Sequence, residues 1–408
     1  MEQVWTNWSG SLSFRPGAIV RPSSEEELAA IVCHARDQGR TVRVAGTGHS
    51  SSPLVETSDI LVTLETLQGV LAYDRSRCEA TIGAGMTIHD AGQALGRLGM
   101  AFSNLGDVDY QTAAGAFGTG THGTGVNLPG LASHLIGGRL VNGHGEIEEF
   151  GTEDDLNLVR ALRVSLGAAG IFTALRLRLV PAYKLRKREW CTRIDDCLAH
   201  FDELAATCRQ VDFYWYPRSD EAKIRTTDLI DADPPTLPSA RLVDEATGWS
   251  HEVIPNAREL RFDEMEYGVP AEAGARCFVD VRQRIKARWR HIVGWRVLYR
   301  TMAADEMDLS IAYERPTVTI SIHQNATLPY EEFFADIEPI FRAYGGRPHW
   351  GKKHSLRADD LQPLYPRWDR FLQARQQIDP EGVFLNAYLR DLLGIERLGG
   401  RREQGRNG

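Results

Sequence analysis

The segment SNLGDVDYQTAAGAFGTGTHGTG, residues 103–125, constrains the fold more than any other stretch of this chain. It holds too much glycine and threonine for a helix or a regular strand. Loops longer than about 12–15 residues are usually functional or disordered, and the many small residues and few aromatics here favour an ordered backbone wrapped round a ligand. A related segment, VRVAGTGHSSSPL (residues 42–54), follows directly on an alternating apolar strand, and a third, GAAG, stands at residues 167–170. Gly46 and Gly48 permit backbone conformations and close approaches that a β-carbon forbids. Rows of free N–H groups on such loops suit phosphate. Together the three loops imply one large anionic ligand, a dinucleotide held by backbone rather than by lysines. His49 is the odd member, because a plain phosphate cradle does not need it.

The order of elements separates this chain from a doubly wound dinucleotide fold, which runs strand, glycine loop, helix. Residues RPSSEEELAAIVCHARDQG predict a helix, with Ser24 as cap, Glu27 completing a capping box and Gly39 ending it. The strand TVRVAG follows at once, so the order is helix, strand, glycine loop, then a further strand. A length of 408 residues suggests two or three domains. After Pro181 the glycines thin out and Trp, Tyr, Arg and Asp increase, which places a boundary there. VDFYWYP, RFDEMEYGVP, MDLSIAY and PTVTISIHQN read as strands of a second sheet, while residues 228–257 read as a poorly patterned connection and the tail 399–408 as disordered.

Composition excludes several classes. A formal charge of −8 disfavours a general nucleic-acid binder, and the basic runs KLRKRE and RQRIKARWRH read as solvated faces. Six cysteines without a CxxC pair indicate neither a zinc ribbon nor a dense disulfide framework, so no metal site is expected and a reducing, cytoplasmic setting fits. No stretch approaches a membrane span and the N-terminus carries no secretory pattern.

The motifs VRVAGTGHSSSPL, NLGDVDYQTAAGAFGTGTHGTG, GGRPHWGKKH and DPEGVFLNAYL, in this order, resemble the sugar-1,4-lactone and alditol oxidases of the vanillyl-alcohol-oxidase type of FAD flavoproteins. The resemblance implies an α+β fold with a two-subdomain FAD-binding domain over residues 1–180, an α+β substrate or cap domain over 181–365, and a segment over 366–398 that returns to the FAD domain. It implies FAD attached covalently through His49. The cofactor contacts it implies are Val44, Ala45, Gly46, Thr47, Gly48, His49, Ser50, Gly106, Ala114, Gly115, Gly118, Thr119, Gly120, Thr121, His122, Gly123, Gly170, Ile171 and Lys352. Lys352 matches an active-site lysine of the family and Gly106 a small residue beside the flavin that leaves room for dioxygen. His122 is open to a packing or a catalytic role.

One departure stands out. The family carries a Glu-x-Arg pair facing the substrate; in VLYRTM, Arg300 stands on the arginine and Leu298 falls where the glutamate belongs. Alternating strand residues share a face, so both point at one pocket. Asp107, His323 and Gln324 are the candidates to replace the lost carboxylate, alongside Arg300 and Lys352 as cations; His323 is equally readable as a structural histidine. The expected activity is an FAD-dependent oxidase that removes hydride from a hydroxyl-bearing carbon of a sugar lactone, polyol or cyclitol and reduces dioxygen to hydrogen peroxide. A tailoring flavoenzyme with a different substrate and a non-catalytic flavin-binding protein are the alternatives that Leu298 raises.

Overall fold

The computed structural model describes residues 3–396 apart from 234, 236, 238 and 257–259. The tail expected at 399–408 lies outside these residues. Ser24 caps the helix Glu25–Asp37, its hydroxyl accepting the Glu27 N–H at 3.2 Å, while the Glu27 carboxylate accepts from the N–H of Ser23 at 2.7 Å. Leu28, Val32 and Ala35 form the buried stripe. The helix leads into the strand Val42–Ala45, which pairs in parallel with Ile60–Thr63, itself parallel to Ala18–Val20. A five-stranded antiparallel sheet follows, in the order Ile147–Gly151, Leu135–Val141, Ile171–Arg178, Glu79–Gly83, Val70–Asp74.

The third sheet has eight antiparallel strands in the order Arg241–Trp249, Lys184–Arg193, Glu221–Leu229, Gln210–Tyr216, Val297–Met302, Thr317–Asn325, Phe262–Pro270, Arg347–Pro348. Helices Ile194–Thr207, Ala271–Arg284 and Glu331–Ala343 pack on it. Toward them the strands send aromatic residues: Phe213 stacks on Tyr299 at 4.8 Å, and Phe201 and Phe278 meet both rings edge-on. Alternation therefore turns the neighbours of Tyr299, Leu298 and Arg300, toward the opposite face. That face carries the chemistry.

Three expectations change. MDLSIAY, residues 307–313, is a turn-rich connection with an isolated bridge from Tyr313 to Asp305, not a strand of the sheet. Residues 241–249 form an edge strand within the stretch read as unpatterned. Nearly every residue of it is exposed, so neither face selects an apolar alternation that a sequence reading could detect. Gln324 also leaves the site: its side-chain oxygen accepts the Gly294 N–H at 3.2 Å, on the side of the sheet opposite His323.

The chain's end is built into its beginning. Val42 N–H donates to Val383 O at 2.9 Å, and the Asn386 amide donates to the carbonyls of Pro53, Leu54 and Glu56. The buried Arg43 guanidinium donates to the carbonyls of Leu54, Leu166, Gly167 and Phe384, which draws three distant segments together.

Candidate active site

Two clefts meet at His49. The first encloses about 970 Å³, part of it open to solvent, and is lined by residues 43–50, by Gln111, Thr112, Ala114, Gly115, Gly118 and Thr119, and by Ser165–Gly167, Gly170, Ile171 and Phe172. Its walls combine backbone and small side chains with the larger apolar Trp5, Leu54, Leu64 and Phe172. Gly46 is required by space, since a β-carbon there would lie 2.1 Å from Thr112 Oγ1; Gly48 is required by conformation, with φ of +74°. The one charged side chain in this lining is Arg43, whose guanidinium is already taken up by carbonyls. An anionic group lying here is thus met by N–H groups and not by lysines, and the donor set fits a dinucleotide.

The second cleft, about 840 Å³, shares His49, Ser50, Gln111 and Thr119 with the first. Its lining sets apolar Trp8, Phe262 and Leu298 among Glu264, Glu266, Arg300, His122, His323, His349 and Lys352. Trp8 stacks on His49 with ring centroids 5.5 Å apart. Burial, reinforced by Lys352 and opposed by Asp109, lowers the His49 imidazole to a pKa of about 4, so it stands neutral at physiological pH. Two hydrogen bonds lock the His49 loop to the lysine loop: Ser51 N–H to Gly351 O at 2.8 Å and Ser52 Oγ to Trp350 O at 2.6 Å.

The carboxylates come from a place the sequence reading did not assign. Glu264 and Glu266 alternate with Met265 and Tyr267 on the strand Phe262–Pro270, and both are buried. Glu266 shares a rung with Ser321 and Leu298, and its Oε1 accepts from Arg300 Nη2 at 2.6 Å. His122 Nε2 lies 3.0 Å from the same oxygen. Glu264 pairs with His323 Nε2 at 3.3 Å and with Lys352 Nζ. Burial alone would raise both acids. Lys352 and His323 overcome it for Glu264, and Arg300 and His122 for Glu266, so each is held below the ordinary carboxylate range. A pattern of acids alternating with apolar residues normally marks a solvated strand face; the cue that distinguishes this one is the sheet position, next to the His323 strand, which sequence alone does not supply.

Both histidines are oriented alike. His122 Nδ1 donates to Gly123 O and His323 Nδ1 to Arg296 O, each at 2.9 Å, because a carbonyl can only accept. Each Nε2 then faces its glutamate. His122, Glu266 and His349 are close enough together to hold a metal ion. Two of the three are engaged already: Arg300 holds Glu266 Oε1, and the Gly351 N–H occupies His349 Nδ1 at 3.1 Å.

Of the expected residues, Val44 to Ser50, Ala114, Gly115, Gly118, Thr119, Gly170 and Ile171 line the first cleft, and Gly106, Thr121, His122 and Lys352 the second. Gly120 and Gly123 line neither. Gly123 packs against Asn104, where a β-carbon would lie 2.2 Å from Leu105 O, and Gly120 turns toward Val164. Asp107 borders the second cleft, but its carboxylate accepts from Arg225 Nη1 and Nη2 at 3.0 and 3.1 Å and from Tyr214 Oη at 2.8 Å, so it does not serve as a free base. Arg43, Gln111, Thr112 and the two glutamates are the residues missed.

A family model described as D-arabinono-1,4-lactone oxidase matches residues 175–249 and 236–392, and one described as FAD binding domain matches residues 16–151. This chain belongs to the D-arabinono-1,4-lactone oxidase family. An L-gulono-1,4-lactone dehydrogenase of Mycobacterium tuberculosis is 34% identical over 97% of this chain and 100% of its own length. The L-gulonolactone oxidase of Bos taurus is 26% identical over 94% of this chain and 96% of its own. Among solved structures, cholesterol oxidase from B. sterolicum superposes with a TM-score of 0.85 at 15% identity, over 96% of this chain and 97% of that one, which shows a shared fold. As a lactone oxidase family member the chain is an FAD-linked oxidoreductase, and the first cleft is where its residues would hold FAD.

Proposed function

We propose that this lactone oxidase family member oxidises a hydroxyl-bearing carbon of a sugar lactone, uses dioxygen as acceptor and carries FAD covalently on His49. The observation that carries the reading is the junction of the two clefts at His49, a neutral imidazole set between a dinucleotide-shaped groove and a chamber of paired charges. Bound FAD supplies a two-electron hydride acceptor. The protein's part is position and proton handling. Lys352 and Arg300 each have a glutamate partner, so the cleft favours a neutral, hydroxylated substrate over a free acid. Trp8, Phe262 and Leu298 offer the C–H face of a sugar ring an apolar surface. His323, held by Arg296 O on one ring nitrogen and against Glu264 on the other, orients that carboxylate at the edge of the cleft. The relatives named for L-gulono-1,4-lactone and D-arabinono-1,4-lactone support the lactone class.

Gly106 supports dioxygen as acceptor. It stands in the second cleft with no side chain of its own. The relative named a dehydrogenase favours a second reading, with another acceptor. Turnover of L-gulono-1,4-lactone in air separates them: the oxidase reading expects hydrogen peroxide in step with lactone consumed, and turnover only on addition of an artificial acceptor would contradict it. All six cysteines are unpaired, which supports a reducing, cytoplasmic location.

A further inference from the structure

Near the N-terminus Trp5–Thr6 and Ser13–Phe14 pair as an antiparallel hairpin, and the turn between them lies against the His49 loop. Trp8 N–H donates to Gly48 O at 2.8 Å and the Asn7 amide donates to Ser50 O at 3.1 Å, so the turn grips the residues on either side of His49. Asn7 is buried, and its Oδ1 accepts the N–H groups of Gly10 and Leu12, each at 3.0 Å, which sets the shape of the turn. The approach is close: a β-carbon on Gly48 would lie 3.1 Å from Trp5 Cζ2 and 3.3 Å from Asn7 Cα. Trp8 is thereby laid over the His49 ring, 5.5 Å between centroids with the planes 29° apart. Among the described residues neither nitrogen of that ring makes a hydrogen bond, so its orientation comes from the stack. Trp8 also meets Phe262 edge-on at 5.3 Å. The next residue, Asp263, anchors the turn to the sheet: its Oδ1 accepts from Ser11 Oγ at 2.6 Å and Ser9 Oγ at 3.3 Å, with Lys353 Nζ 3.5 Å away.

We infer, resting on the covalent attachment proposed above, that Trp8 is a positioning residue: it holds the His49 imidazole in the orientation from which the ring bonds to FAD, and Asn7 and Asp263 hold Trp8. In the attachment one ring nitrogen of His49 forms a bond to a methyl carbon of the flavin. That carbon loses one hydrogen and the imidazole loses its N–H hydrogen; the two protons and two electrons so released reduce one dioxygen to hydrogen peroxide. Trp8 takes no part in the bonds made or broken. An imidazole free to turn about its side-chain bonds presents the reacting nitrogen correctly for only part of the time, and a misplacement of about 1 Å can cost ~10²-fold in rate. The stack removes that freedom without engaging either nitrogen, which leaves the reacting atom open toward the clefts that His49 joins.

The test uses the full chain as wild type, Trp8→Ala, Trp8→Leu, Trp8→Phe and His49→Ala, each produced in riboflavin-starved cells and then incubated in air with excess FAD. Two quantities are followed with time: flavin bound per chain, and flavin that stays with the chain after acid precipitation, for which His49→Ala sets the zero. Trp8→Ala is expected to bind as much FAD as wild type and to form acid-stable flavin at least about fivefold more slowly. Trp8→Leu, which fills space without a flat ring, is expected to be slow as well, whereas Trp8→Phe keeps a ring to stack and stays within about twofold of wild type. Wild-type rates in Trp8→Ala or Trp8→Leu, or a Trp8→Phe as slow as Trp8→Ala, would overturn the inference. If Trp8→Ala takes up no FAD, Trp8→Leu decides, and loss of FAD from both marks a purely structural role and overturns it too. Wild type without acid-stable flavin defeats the covalent reading itself, whereas acid-stable flavin formed equally fast in wild type and Trp8→Ala defeats this inference alone.

Discussion

At the scale of single residues the account turns on His49. Its imidazole is neutral because burial and Lys352 disfavour the charged form more than Asp109 favours it, and a neutral ring is what attachment to a flavin methyl carbon requires. Replacing His49 by Ala is expected to leave FAD bound in the first cleft but released on acid denaturation; flavin that stays with the denatured variant would contradict the covalent assignment. His49 and Lys352 were legible in the sequence because each sits in one of the motifs that carry the resemblance, and Arg300 from its place in VLYRTM even though Leu298 breaks the pattern beside it. Glu264 and Glu266 were not, although RFDEMEYGVP was readable as a strand. Their partners Arg300, His323 and Lys352 are contributed by separate segments, and only the order of strands brings them opposite one another. Leu298 posed the question of a missing carboxylate, and the rung it shares with Ser321 and Glu266 shows that carboxylates reach the cleft from the strand beyond.

At the scale of elements, local signals worked where an element buries one face. The helix Glu25–Asp37 announced its cap and its apolar stripe, and the strand Val42–Ala45 its position before the glycine loop. They failed for the edge strand Arg241–Trp249, which buries neither face. The connection 303–316 shows what an element can store. Asp308 is fully buried there with no hydrogen bond to either carboxylate oxygen among the described residues, Arg370 Nε standing 3.5 Å away. Burial, only partly offset by Arg370, raises its pKa to about 6, and burial does the same for Asp305. A folded-state value above the unfolded one near 4 favours the folded state at acid pH, and that contribution is lost as pH rises through about 6. Asp308→Asn is therefore expected to raise thermal stability at pH 8, by roughly 1–3 kcal/mol, and to change little at pH 4. Equal melting shifts at both pH values would contradict this.

At the scale of the whole molecule, the fold is a device for bringing three separate loops and one sheet face to one point. The His49 loop, the 103–125 segment, the chemical face of the eight-stranded sheet and the Trp350–Lys352 turn converge where the two clefts join. The C-terminal segment is bonded to Val42, Arg43 and the carbonyls of Pro53 and Leu54, and so buttresses the strand and loop that line the first cleft. The motif order implied that return, but its bonding was not readable, because buried Arg43 pairs with carbonyls and carbonyls carry no sequence signature. The central claim is that bound FAD accepts hydride from a sugar lactone in this chamber. The direct test is to mix the holoenzyme anaerobically with L-gulono-1,4-lactone and follow the oxidised flavin absorbance. Bleaching that saturates with lactone concentration is the predicted result, and a flavin that stays yellow with every sugar lactone offered would contradict the account.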